Sequence, residues 1–218
     1  MKDGAIQSLG CESRGRRLYG SANEQNAQVS ANPSKFRPFY HPSRLSKRFM
    51  TGAAFLDGGK YKIGLEAAFT DTPGLNWDTH VNQAIQNGSR GQLANLLRIF
   101  SQGLAAFALD LGRRMDDVIL LTMSEFGRTA RENGSRGTDH GLGNEMIAIG
   151  HSVKGGKVYG DWEGLRAESL DRGRYLAVTT DFRDVLGEVT AKHLGGKDLD
   201  GLFPRYSIDP VRFRGFIG

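Results

Sequence analysis

One apolar run followed by a long polar loop constrains the fold of this chain more than any other feature. Residues 118–123 are apolar except for Thr122, and the polar, glycine-containing segment 124–138 leads from them to Asp139 and His140. A short aliphatic run bounded by polar turn residues predicts a buried strand, and the loop is therefore expected at the strand's carboxyl end. In open α/β sheets ligands bind at this end of the strands, which makes the loop a candidate site.

A long amphipathic helix is predicted before this strand. Apolar residues recur at three- and four-residue steps from Leu93 to Leu111, which places them on one stripe of a helix. A predicted strand over 61–69 precedes the helix, and Asn76 to His80 lie between the two. Strand, helix and strand in this order form a βαβ unit, whose right-handed crossover puts both loops at one edge of a parallel sheet. The predicted fold class is α/β, with a mainly parallel sheet flanked by helices.

The remaining segments predict shorter elements. Residues 145–149 form an apolar strand candidate, and residues 153–162 predict a hairpin that turns at Gly155-Gly156. A second helix is expected after Asp181, which is a suitable N-cap, and Gly195-Gly196 is expected to end it. Two further β elements and one more helix thus complete the predicted domain.

The positive charge of the chain is confined to its first part. Residues 1–50 hold nine Lys/Arg and three Asp/Glu, whereas the other residues hold twenty Lys/Arg and twenty-one Asp/Glu. No aromatic and basic stripe accompanies this excess, so we do not predict a nucleic-acid partner. Residues 1–60 are interpreted as a polar, basic and partly irregular leader, and residues 61–218 as the α/β domain.

Composition excludes several other classes of protein. The single Cys11 rules out a disulfide framework and a thiolate metal site, so any metal must bind nitrogen and oxygen ligands. No apolar run approaches the ~20 residues that span a bilayer, and we predict no membrane span. The first residues lack the apolar core of a signal peptide, so the sequence assigns no compartment.

Two pairs of acidic and histidine residues are candidate metal ligands. Asp78 and His80 are two apart, so that in an extended segment both side chains point to the same side and can chelate one ion. Asp139 and His140 are adjacent, and their diverging side chains suit two neighbouring metals, or one metal and one substrate oxygen. Histidine with carboxylate favours zinc, manganese or iron over calcium.

Glu125 and Arg128 are the candidate catalytic residues. A Glu directly after a buried strand is costly unless it is solvated, paired or ligating, so Glu125 is interpreted as a metal ligand, a general base or the partner of Arg128. The planar guanidinium of Arg128 can bind phosphate or sulfate oxygens in two places. Ser124 does not lie in a Gly-x-Ser-x-Gly elbow.

Four segments together carry a family resemblance. They are NWDTH, VILLTMSEFGRT, GTDHG and VKGGKVYGDW, which begin at residues 76, 118, 137 and 153. In this order they resemble the bacterial family known as "domain of unknown function 1501", which is placed in the alkaline phosphatase and sulfatase superfamily. The resemblance covers about residues 69–206.

The resemblance implies a fold and a chemistry. The superfamily has a central, mainly parallel sheet between helices, with divalent metals, here zinc or manganese, at the strand carboxyl ends. Its ligand pattern falls on Asp78 and His80 and on Asp139 and His140. It also uses one further His, for which His151 and His193 are candidates; the position of His193 late in a helix favours a structural role.

The same resemblance leads to the expected function, a metal-dependent hydrolase of phosphate or sulfate esters of unknown substrate. Superfamily enzymes keep a first metal-binding Asp and a nucleophilic Ser or Thr near an early strand, and residues 1–60 match neither. We therefore expect an incomplete fold, the carboxyl-terminal half of such a protein. The alternative is a non-catalytic binding or structural member. Family members are often exported.

Overall fold

The computed structural model describes residues 67–70, 72 and 74–218, together with the backbone of four two-residue strands nearer the amino terminus. Apart from those strands, the predicted leader over 1–60 lies outside the described residues, as does most of the predicted strand over 61–69. The chain divides into two compact units. The first is Met1–Asp78 with Gly88–Gly112, and the second is Thr79–Asn87 with Arg113–Gly218.

The first unit contains the amino-terminal strands and a long helix. The strands form two antiparallel pairs, in which Ile6 is opposite Ala22 and Glu12 is opposite Arg17. The elements of this unit are β1 (Ile6–Gln7), β2 (Glu12–Ser13), β3 (Arg16–Arg17), β4 (Ser21–Ala22) and α1 (Gln92–Leu111).

Helix α1 confirms the prediction made from the apolar stripe. Its buried residues include Leu104, Phe107 and Leu111, which follow one another at steps of three and four. Such spacing keeps the three side chains on one face of the helix. About one turn before Leu104, the Phe100 ring meets the Trp77 ring edge to face, with 5.5 Å between the ring centres. No helix in the described part of the chain has the length and the apolar composition needed to cross a bilayer.

The second unit contains two short antiparallel ladders and one α-helix. The elements are β5 (Leu120–Leu121), β6 (Gly127–Arg128), β7 (His140–Gly141), β8 (Ala148–Ile149) and α2 (Phe182–Lys192), with 3₁₀ turns at Gly112–Asp117, Ala167–Ser169 and Pro210–Arg212. Strand β5 pairs with β8, and β6 pairs with β7.

The strands predicted at 118–123 and 145–149 are present in shortened form. Residues 120–121 of the first pair with residues 148–149, the last two of the second, and Leu120 is opposite Ile149. All strand pairs among the described residues are antiparallel, so the mainly parallel, alkaline-phosphatase-like α/β fold stays a prediction.

The hairpin predicted at 153–162 is wrong. Val153 instead forms an antiparallel bridge with Ile217, and the Lys154 amide donates to the carbonyl of Phe216 at 2.8 Å. The chain bends at Gly156, which has a φ of 77°, but the Lys154 amide and the bridge at Val153 pair with a segment about sixty residues away. A non-local partner of this kind leaves no signal in the local pattern.

Helix α2 begins as predicted at Asp181, whose carboxylate accepts from the Arg183 amide at 2.9 Å. Its most deeply buried residues, however, are Asp184, Gly187 and Glu188 rather than the apolar stripe. Burying a carboxylate is costly unless every oxygen is paired, so these two acids require partners.

Both acids bind the carboxyl-terminal segment. Glu188 is fully buried and accepts hydrogen bonds from the amides of Gly215 at 2.9 Å and Ile217 at 3.3 Å. Asp184 accepts from the Tyr206 hydroxyl at 2.8 Å and from Arg212 Nε at 2.9 Å. Polar contacts between α2 and residues 206–217 thus stabilise the second unit, in addition to apolar packing.

Candidate metal centre

The segment that carries His80 is fastened to the loop that precedes β7. The amides of Asn82 and Gln83 donate to the carbonyls of Ser135 and Arg136 at 3.0 and 2.9 Å. The buried Gln83 side chain also accepts from the Thr138 hydroxyl at 2.8 Å. These bonds bring residue 80 next to residues 139 and 140, although they are sixty residues apart along the chain.

Asn133 is the centre of this attachment. Its amide nitrogen donates to the His80 carbonyl and to Asp139 Oδ1, both at 3.1 Å. Its amide oxygen accepts from the backbone of Ser135 at 2.8 Å and of Gly137 at 3.2 Å. One side chain therefore fixes the turn, the His80 backbone and the Asp139 carboxylate at once.

The close approach of the two segments requires a glycine at position 137. A Cβ there would overlap the carbonyl oxygen of His80. Because that neighbour is backbone, it cannot move aside without breaking the attachment.

Strands β6 and β7 place the second imidazole. His140 is the cross-strand partner of Arg128, and its ring stacks on Phe126, with ring centres 4.1 Å apart and planes 9° apart. The His80 ring stacks on His140 at 4.9 Å and 26°. The two histidines predicted from sequence thus converge.

Asp139 and Arg174 lie beside His80. Asp139 Oδ1 is 3.5 Å from His80 Nδ1, and Asp139 Oδ2 accepts from Arg174 at 2.8 Å. The hydrogen bond from Asn133 lowers the pKa of Asp139 below its ordinary value of 3.8, and the charge of Arg174 acts in the same direction. The carboxyl group is therefore ionised throughout the neutral range.

Three of the four predicted ligands form one group. His80 and His140 each offer a ring nitrogen, and Asp78, which is bonded directly to Thr79, offers a carboxylate oxygen, all within 4.8 Å of one another. Two imidazole nitrogens and one carboxylate oxygen suit zinc or manganese. The fourth predicted ligand, Asp139, is outside this group and contacts His80 instead.

The structure places the two predicted catalytic residues differently. Residues 118–122 are only partly buried rather than buried as predicted, and Glu125 is exposed to solvent, so its charge carries no cost of burial. Arg128 donates from one guanidinium nitrogen to the carbonyls of Thr79 at 2.6 Å and Thr138 at 3.0 Å. This guanidinium therefore supports the backbone on both sides of the site, and its binding of an anion stays a prediction.

The two other histidines proposed as ligands lie apart from the group. His151 Nδ1 is 3.6 Å from a carboxylate oxygen of Asp116, and neither residue belongs to the three-ligand group. His193 is the C-cap of α2, where its backbone amide donates to the carbonyl of Val189. The structural role favoured for His193 stays a prediction.

A cavity of about 190 Å³ adjoins Asp139. Six of its seven lining residues are polar or charged, and two of them are arginines; the residues are Thr129, Arg131, Glu132, Asn133, Asp139, Gly173 and Arg174. Sequence reasoning missed Asn133, Arg131 and Arg174. The Asn-Gly pair at 133–134 is a turn signal, but nothing local shows that Asn133 reaches His80 or that Arg174 reaches Asp139.

Comparison with known proteins identifies a family only. The family described as "Protein of unknown function (DUF1501)" matches residues 17–201, which is most of the chain. No curated protein and no solved structure matches.

Proposed function

This chain belongs to the DUF1501 family of proteins of unknown function, and we propose that it is a divalent-metal-dependent hydrolase of phosphate or sulfate esters. The proposal includes the placement of the family in the alkaline phosphatase and sulfatase superfamily, with its mainly parallel α/β sheet. Both follow from the resemblance of the four sequence segments.

One observation carries the proposal. The stacked rings of His80 and His140 come together from segments sixty residues apart, and the chain supplies a carboxylate at Asp78, two residues before His80. The group is accessible from solvent, because Asp78 and His140 are exposed and His80 is only partly buried. Three protein ligands with a further position open for water or substrate are typical of a catalytic zinc site.

The surroundings of the group favour an anionic substrate. Arg131 and Arg174 line the cavity beside Asp139. Guanidinium groups bind phosphate and sulfate oxygens in two places at once, and they keep their charge at every working pH. We propose that Arg131 and Arg174 bind the anionic group of the substrate, and that Arg128 supports the backbone on both sides of the site.

The chain's own groups would share the remaining work. A bound divalent ion supplies a Lewis acid for the ester and lowers the pKa of a water molecule. Glu125 is exposed and lies next to Phe126, whose ring stacks on His140. Its exposed carboxylate can take a proton from a water molecule, and we assign it the general base.

A titration with Zn²⁺ and with Mn²⁺ tests the metal site. We expect one equivalent to bind wild type, and His140→Ala to lose this binding because one of three ligands is gone. His151→Ala is the matched control, since it removes an exposed imidazole outside the group, and it should bind as wild type does. Failure of wild type to bind either ion contradicts the proposal.

A panel of aryl phosphates and aryl sulfates tests the reaction. Turnover that requires added metal and falls at least tenfold in His140→Ala supports hydrolysis. One observation favours the alternative, a non-catalytic binding module. The hydroxyl of Ser124 donates to the carbonyl of Phe126 and that of Thr129 to the carbonyl of Arg131, so both hydroxyls are engaged in backbone contacts rather than available as a nucleophile. Stoichiometric metal without turnover of any ester in the panel would favour that alternative.

A further inference from the structure

Asp139 has a different environment from that of the three grouped ligands. Its Oδ1 accepts from Asn133 at 3.1 Å and faces His80 Nδ1 at 3.5 Å, while its Oδ2 accepts from Arg174 at 2.8 Å. The carboxylate is thus surrounded by donors from three directions. Asp139 is outside the group formed by Asp78, His80 and His140, and its oxygens accept from protein donors instead.

The contact with His80 has a consequence for the imidazole. A neutral imidazole carries its proton on one nitrogen, and a hydrogen bond from that nitrogen decides which of the two is left to bind a metal. An Nδ1–H group that donates to Asp139 leaves Nε2 of His80 as the ligating atom. Histidines that bind metals usually donate their other N–H to a carboxylate or carbonyl, which fixes the ring and makes it more basic.

The partners of Asp139 are themselves fixed. Asn133 uses its side-chain oxygen to bind the turn at Ser135 and Gly137, so the amide that holds Asp139 has little freedom to turn. The backbone carbonyl of Arg174 accepts a hydrogen bond from the Ala130 amide at 3.0 Å. The carboxylate therefore has a set orientation before any metal arrives, which is what a positioning group requires.

From this arrangement we infer that Asp139 is a positioning residue for His80 and is not itself a metal ligand. This inference rests on the proposed metal site and departs from the ligand pattern that the family resemblance implies, in which Asp139 binds the ion. The adjacent residues Asp139 and His140 then have different roles, because His140 binds the metal and Asp139 orients His80.

Zn²⁺ affinity and stoichiometry separate the two roles. We expect Asp139→Asn to bind one equivalent with an affinity about 10- to 100-fold lower than that of wild type, the usual effect of losing an outer partner. His140→Ala should lose stoichiometric binding. Arg174→Met removes a partner of Asp139 and no ligand, and it should weaken binding without changing the stoichiometry. Loss of stoichiometric zinc in folded Asp139→Asn would overturn the inference.

Nitrogen NMR of the zinc-loaded protein gives a second readout. In wild type, His80 should show a protonated Nδ1 and a metal-bound Nε2, and in Asp139→Asn the Nδ1 proton should exchange faster with water. A merely structural role for Asp139 would leave this signature unchanged. Zinc bound through Nδ1 of His80 overturns the inference while leaving the metal site intact, whereas a wild type that binds no metal overturns both proposals.

Discussion

At the scale of single residues, Asn133 illustrates how one amide can hold a site together. It makes four hydrogen bonds, to the backbone of three residues and to Asp139. We expect Asn133→Ala to lower the free energy of unfolding by about 2 kcal/mol, because partly buried donors and acceptors lose their partners together. Urea unfolding measures this loss. Gln102→Ala, which removes an amide from the exposed face of α1, should stay within about 0.5 kcal/mol of wild type.

The same residue also shows what sequence can and cannot give at this scale. His80 and His140 were predicted ligands because each has an acid nearby in the chain, and the structure brings both together with Asp78. The roles of Asn133 and Arg174 depend on contacts to residues 53 and 35 positions away. No local pattern contains such information, nor does one show that Asp139 contacts both His80 and Arg174.

At the scale of elements, α2 depends on its cap. Asp181 accepts from the Arg183 amide and from the Arg183 guanidinium at 2.6 Å. Asp181→Ala should lower the free energy of unfolding by about 1 kcal/mol at neutral pH, the usual effect of removing an N-cap. Chemical unfolding of both proteins measures the difference, and the exposed Glu163→Ala is the control.

The stabilisation by this cap should also depend on pH. The hydrogen bond from Arg183 lowers the pKa of Asp181 below its ordinary value of 3.8. The unfolded state therefore binds a proton more readily than the folded state, so the contribution is complete above pH 3.8 and is lost as the pH falls through the lower, folded-state pKa. The difference between wild type and Asp181→Ala should shrink over that acid range. A difference that grew on acidification would contradict this account.

The packing of α2 against Ile208 requires a glycine. A Cβ at Gly187 would lie 2.7 Å from Ile208 Cγ2 and 2.9 Å from its Cδ1. Overpacking costs about 1–3 kcal/mol, which exceeds the gain of up to about 1 kcal/mol in helix propensity. Gly187→Ala should therefore destabilise wild type but stabilise Ile208→Ala, in which the obstruction is gone. Thermal unfolding of the four proteins in this cycle checks the reversal of sign, and equal effects in both backgrounds would refute it.

Elements with a local signature were the predictable part of the fold. The three- and four-residue spacing predicted α1, and the Asp181 cap with its following stripe predicted α2. Strand pairing was less accessible, because the partners of residues 120–121 and 153–154 lie elsewhere in the chain. The hairpin at 153–162 failed for this reason, since alternating residues do not reveal which segment they pair with.

At the scale of the whole molecule, Glu188 joins α2 to the carboxyl-terminal segment. Its side chain is fully buried and accepts from two backbone amides and from Lys192 Nζ at 3.1 Å. Glu188→Gln keeps the shape but turns one acceptor into a donor that faces other donors. We expect a loss of about 3 kcal/mol in the free energy of unfolding. The exposed Glu163→Gln is the matched control, and an effect of equal size there would contradict this role.

The buried carboxylate was not predictable from composition or from helical periodicity. Acidic residues are mostly exposed, so Asp184 and Glu188 read as the solvent side of α2. Their spacing of four places both on one face, but the sequence does not show that this face meets amides and an arginine from residues 212–217. The architecture of the sheet, by contrast, stays a prediction from the family resemblance.

The bond between Glu188 and residues 215 and 217 implies an unusual pattern of hydrogen exchange. Amides outside helices and strands normally exchange quickly with deuterated water, because such segments open locally. Here the amide protons of Gly215 and Ile217 are held by an oxygen pair that water does not reach, so they should exchange only when α2 itself comes loose. The slow exchange of these two amides would then measure how often the second unit opens.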